Sequence, residues 1–344
     1  MNFVVSRICR ASGVAVLIAL FSNCSEPVGP GSSGIRFQLG TLQLTPIDSV
    51  GATISILDMN DAGVVVGNLT ANGTTQGFTW KAGKFTVLQS AGGPFTAAAI
   101  NDFGDVAGLV NGVPFVWQAG NANPTPMFRS DTTLAPFFLI KGINTRGEVL
   151  FSPTTTVFSE WVWKAGVQKP LKWPVTSCSS IRINNQGVIL GTLCGEMYVE
   201  WRLVDSPFGV MRVNSGKLAG QTCAANTSGH GVVDGAVAVN DSNEVLESAH
   251  WQTGIGCRTF STSLTAFNAR GLIASYTGSL SSQRATLMTE RDSVDIDGLL
   301  NVQTAAAWQV QVVSRITNSG QMWARAVRLS DGRVVPVFLS PSAQ

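Results

Sequence analysis

Apolar positions in this chain fall in short runs, and no apolar period of 3.6 residues is sustained along it. Between the runs a polar turn recurs. It reads Met59-Asn60-Asp61-Ala62-Gly63, Ile100-Asn101-Asp102-Phe103-Gly104, Ile143-Asn144-Thr145-Arg146-Gly147 and Ile183-Asn184-Asn185-Gln186-Gly187. Weaker copies are Val239-Asn240-Asp241-Ser242-Asn243, Phe267-Asn268-Ala269-Arg270-Gly271 and Ile316-Thr317-Asn318-Ser319-Gly320. A small apolar strand follows each turn. An aromatic strand comes next and ends near Trp80, Trp117, Trp163, Trp201 or Trp251, with Leu287 and Leu339 taking that place in the last two copies. A fourth short strand is expected at 84–88, 125–128, 209–213 and 293–296.

Successive turns are separated by 41, 43, 40, 56, 28 and 49 residues. That period suits propeller blades of four strands, each blade taking about 40–45 residues. The last column of the motif is Gly in six copies and Asn243 in the other. Gly and Asn adopt positive φ most readily, as the final position of a hairpin loop requires, and the leading Asn can bond its own backbone two residues on. The Trp column reads as packing between blades. The last unit stops at its third strand, while an orphan strand at 36–44 precedes the first unit. Pairing the two closes a ring and protects an open edge. The expectation is an all-β protein, a β-propeller of seven four-stranded blades closed by the N-terminal strand, occupying 36–341 as one domain.

The pattern resembles the HAF family of extracellular repeats. Ala98-Ala99-Ile100-Asn101-Asp102-Phe103-Gly104-Asp105-Val106-Ala107-Gly108 matches the first part of that family's unit, and Leu39-Gly40-Thr41-Leu42 matches its third part. Asp295-Ile296-Asp297-Gly298-Leu299-Leu300, Trp308 and Phe338-Leu339-Ser340-Pro341 look like its last unit, whereas no copy keeps an intact His-Ala-Phe. The resemblance implies an exported propeller-like domain and carries over no catalytic residue.

The first residues agree with export. Arg7 and Arg10 precede an apolar stretch at 13–21 that is too short to span a membrane. Leu20-Phe21-Ser22-Asn23-Cys24 resembles a lipobox, with Phe21 and Asn23 at unusual positions, so Cys24 is the expected lipidation site and 1–24 the signal peptide. Residues 25–35 form a Pro/Gly/Ser tether. The expected address is the cell envelope, as an outer-membrane lipoprotein or a secreted protein. Charged residues are only 13% of the chain and the net charge is +2, which gives no electrostatic case for nucleic acid.

An exported chain favours disulfides. Cys178 and Cys194 each lie eight residues from Gln186 in the turn, so a simple hairpin sets them opposite each other. Cys223 and Cys257 then pair by elimination, and free buried thiols are the alternative. The long spacing after Asn184 is explained by an insertion at 214–230, where Gln221, Asn226 and His230 are the candidate ligand contacts. That loop is expected on the ring face opposite the Asn turns.

The chain has two histidines, His230 and His250, so a zinc site has no support. No Gly-x-Ser-x-Gly frames a serine nucleophile. No cofactor and no metal is expected. The reading is a monomeric, non-catalytic binding module for a glycan, peptide or partner protein. The alternative is a divergent propeller hydrolase or lyase acting on polysaccharide. Carboxylates clustered with an Arg at the channel mouth would favour the alternative.

Overall fold

The computed structural model describes residues 39–121, 123–128, 138–153, 160–171, 178–193, 198–203, 211–215, 238–239, 245–246, 250–253, 256–259, 263–279, 282–289 and 292–342. The described strands form seven antiparallel sheets in chain order, the blades of a β-propeller. The first blade shows the plan. Thr53–Met59 pairs with Val65–Ala71, then Thr74–Lys81, then Lys84–Val87. The second blade gains a fifth short strand, Gln89–Ser90, on the edge of Gly93–Ile100. The 28-residue step between Asn240 and Asn268 still accommodates a blade, because the fifth sheet uses strands of two to four residues between Ala238 and Thr259.

Ring closure follows the expected route. Leu42–Pro46 lies antiparallel to Val334–Pro341, with Leu44 opposite Leu339, and completes the seventh blade. Leu42 is fully buried, as is Ile47, whose N–H donates to the Pro336 carbonyl at 2.9 Å. The paired segment runs 42–46 rather than 36–44. Past Pro46 the Ile47 N–H still bonds across, but Pro336 opposite it has no N–H to return the bond.

Each Asn-x-x-Gly motif joins the first and second strands of its blade. The six Gly residues of the column have φ between +70° and +88°, and their N–H groups donate back to the Asn or Thr carbonyl at 3.0–3.3 Å. Apolar clusters fill the spaces between neighbouring blades. One joins the seventh blade to the first, where Trp80 lies 5.2 Å from Phe338. Another links the second and third blades through Phe128, Phe138 and Phe151. Burial of each such side chain contributes about 1.5–3 kcal/mol. Trp80, Trp117 and Trp163 of the Trp column thus pack in these apolar clusters.

Two register details depart from the sequence reading. Among the described residues the inner strand carries a β-bulge three places before the Asn column in six blades, at Leu57, Ala98, Lys141, Ile181, Thr265 and Ser314, and the seventh blade has a second at Gln311. In the fourth blade this extra residue shifts the pairing by one, so Cys178 stands opposite Leu193, not Cys194. In the sixth blade the place of the Trp is taken by Met288, opposite Ile273, rather than by Leu287.

Candidate functional site at the channel mouth

The same turns that shape the hairpins link the blades to one another. Asn144 is buried, and all four of its side-chain hydrogen-bonding positions are used. Its Oδ1 accepts the N–H groups of Arg146 and Glu148, both at 3.0 Å. Its Nδ2 donates to Glu148 Oε2 at 2.7 Å and to the main-chain carbonyl of Asn184, in the next blade, at 3.1 Å. The link to the next blade recurs. Asn60 Nδ2 donates to the Asn101 carbonyl, Asn101 to the Asn144 carbonyl and Asn268 to the Thr317 carbonyl, at 2.8–3.0 Å.

The following column links in the opposite sense. Asp102 Oδ1 accepts the Asp61 N–H at 2.8 Å, Asn185 Oδ1 accepts from Thr145 at 2.9 Å and Asn318 Oδ1 accepts from Ala269 at 3.0 Å. Asn185 Nδ2 also reaches Asp102 Oδ2 at 2.9 Å, past the third blade, whose residue here is Thr145. At the seam between the last and first blades, Thr317 carries no amide. Asp61 takes over there, accepting from Asn318 N at 3.2 Å and Asn318 Nδ2 at 2.6 Å.

These two columns surround a cavity of about 100 Å³ at the end of the inner strands. Its lining includes Asn60, Asp61, Asn101, Asp102, Asn184 and Asn185, together with Asn268 and Asn318. Two arginines also line it, Arg182 and Arg315, each two places before its blade's Asn-column position. Arg315 Nε sits 3.3 Å from the buried Asp58 Oδ1 and 3.4 Å from the Met59 carbonyl, so the first blade holds this arginine of the seventh. Phe103 adjoins Asp102 in the second turn, and its side chain is 70% exposed. A buried ion pair, Lys141 with Glu160, lies apart from the mouth in the third blade.

The mouth combines two carboxylates with two guanidinium groups. Asp61 and Asp102 are each engaged by a main-chain N–H and an Asn amide, which fixes them as acceptors in the ring of links. Among the described residues no group of three His, Cys, Asp or Glu could hold a metal ion. Gln221, Asn226 and His230 lie outside the described residues, as do Cys24, Cys194 and Cys223 and the side chains of Cys178 and Cys257. Cys257 has its backbone opposite Gln252 in the fifth blade. The turn-face cavity went unanticipated because the Asn column reads locally as turn chemistry. The available signal was Arg182 and Arg315 at one common offset from it.

No protein-family model matches the chain, and no curated protein matches it. Solved structures do resemble it in fold. Streptogramin B lyase superposes with a TM-score of 0.53 at 10% identity, over 89% of this chain and 99% of the other. YCF48 bound to D1 peptide gives 0.51 at 8% identity, over 88% and 97%. The extracellular domain of a one-component system from B. thetaiotaomicron gives 0.50 at 8%, over 89% of this chain and 40% of that one. One of these is named as a lyase and another has a bound peptide, so the shared fold does not choose between catalysis and binding.

Proposed function

We propose that the chain is an exported surface propeller of the HAF type, held at the cell envelope by a lipid on Cys24, and that it acts as a monomeric, non-catalytic binding module. The observation that carries the binding reading is the state of the mouth carboxylates. A general acid or base must exchange its proton with a substrate. Asp61 and Asp102 instead accept two inter-blade hydrogen bonds each, and release of either would break the ring of links. Rigid polar groups around a small cavity suit recognition. The peptide bound to YCF48 keeps a peptide or partner protein among the ligand classes, beside a glycan.

A second reading has its own observation. Two carboxylates and two arginines at one channel mouth are the composition a propeller hydrolase or lyase would use. A glycan, polysaccharide and peptide array on Ser32–Gln344, which is one compact unit, separates the two when turnover is assayed on every hit. Binding without turnover supports the module. Turnover lost in Asp61→Asn or Asp102→Asn supports the enzyme. The export reading is tested by Cys24→Ala, which should move the protein from the membrane to the soluble fraction or stall its maturation. Unchanged fractionation would favour ordinary secretion.

A further inference from the structure

We infer that the channel mouth on the Asn-turn face binds an acidic sugar, with the carboxylate held by Arg182 and Arg315, hydroxyls donated to Asp61 and Asp102, and a sugar face laid on Phe103. This rests on the binding-module reading and names its ligand class. Three features point the same way. First, the cavity has two guanidinium groups in its wall, and their donor geometry matches a carboxylate in a bidentate fashion. Asp58 and the Met59 carbonyl anchor Arg315 through Nε. Both arginines border the cavity. Second, Asp61 and Asp102 are fixed in place, yet each carboxylate oxygen has more than one acceptor position. They can still accept hydroxyl donors, which a sugar supplies in pairs. A ligand carrying only a carboxylate would leave them facing it unmatched. Third, Phe103 exposes 70% of its surface beside Asp102, where sequence pattern and packing give an aromatic no structural role. Its equivalents in the other copies are Ala62, Arg146, Gln186, Ser242, Arg270 and Ser319, so the turn itself does not require an aromatic ring.

The cavity, about 100 Å³, is the size of a few water molecules and takes a substituent rather than a whole chain. The carboxylate and neighbouring hydroxyls of one residue would enter, and the rest of the glycan would lie across the turns.

The test is calorimetric titration of Ser32–Gln344 with oligosaccharides containing galacturonate, glucuronate or sialate, and with the methyl ester of each. At least one acid should bind, and its ester should bind at least tenfold more weakly. Arg182→Gln and Phe103→Ala should each weaken the acid at least tenfold. Both variants should melt within about a degree of the parent, since neither side chain is buried in the packing between blades. Binding that is blind to esterification or to Arg182→Gln overturns the inference. So does failure of all three acids, or preferential binding of peptides with a free C-terminal carboxylate. A neutral array hit unaffected by Arg182→Gln would leave the binding module standing and remove only this site. An array with no hit of any kind would remove both.

Discussion

Asn318 Nδ2 donates to Asp61 Oδ2 at 2.6 Å, across 257 residues of sequence. This contact joins the last blade to the first on the turn face, while Leu42–Pro46 joins them at the outer edge. Hydrogen bonds to charged groups contribute about 1.5–3 kcal/mol, less where solvent competes. Asn318→Ala should therefore destabilise the fold by about 1–2 kcal/mol in denaturant unfolding, and Asp61→Ala by a similar amount. The double variant should cost less than the two losses added. Strict additivity would show that the pair is not coupled.

Removal of the closing strand should cost more. Deleting 25–45 takes away the buried Leu42 and all but Pro46 of the paired segment, and exposes the edge of Val334–Pro341. Loss of one large buried side chain alone costs about 2–5 kcal/mol. The deleted form should melt more than about 10 °C below the parent and aggregate through its open edge. Melting within a degree or two of the parent would mean that the ring does not depend on this strand.

Asn144, like Asn101, uses both acceptor and both donor positions of its amide. Asn144→Ala strands the N–H groups of Arg146 and Glu148 and the carbonyl of Asn184. Each stranded buried group costs about 1–3 kcal/mol, so a loss of roughly 3 kcal/mol or more is expected. Asn144→Asp should be no rescue. It keeps the acceptor but loses both donors, and it sets a second carboxylate against the buried Glu148. A fully stable Asp variant would refute the role assigned to the amide.

Asp297 provides a pH test. Burial raises its pKa above the ordinary value of 3.8, and nearby Asp295 adds to this. The Val310 N–H, at 2.8 Å, and Arg284 pull the other way. The folded pKa thus exceeds the unfolded one, and the folded state holds the proton more tightly. Its contribution to stability is present below about pH 3.8 and declines as pH rises through the folded value. Asp297→Asn keeps an acceptor for Val310 and removes the titration. The variant should melt with the parent near pH 3.5 and at or above it at pH 7. A variant less stable than the parent only at pH 7 would reverse the sign.

Much of the fold was legible because the turn chemistry is local. An Asn that caps its own hairpin and a Gly at positive φ leave a fixed signature, and seven copies set the blade count. The closing strand was legible from an imbalance of strands at the two ends. The bulge was not. Its positions are Leu57, Ala98, Lys141, Ile181, Thr265 and Ser314, which share no chemistry, because an unpaired residue on an inner strand needs none. That single missed residue is why the hairpin count placed Cys178 opposite Cys194. Cys178 faces Leu193, and Cys194 lies outside the described residues. Non-reducing peptide mapping decides whether the two are joined, and a Cys178 peptide joined to Cys223 or Cys257 would exclude that pairing. The site was hidden for another reason. Its residues are brought together by the ring, from blades more than 200 positions apart, while any one copy shows only a turn.

The inter-blade links fall largely on main chain: Asn amides reach a neighbour's carbonyl, and the next column reaches a neighbour's N–H. Along these links a blade therefore asks little of the side chains beside it, and the apolar packing between sheets carries the rest. Such a unit can be duplicated next to itself, or exchanged for another copy, without a matching change in its neighbour. Copies released from mutual constraint are free to drift, as Thr145 and Ala269 have in the second column, and a circular permutant cut between any two blades should assemble the same ring.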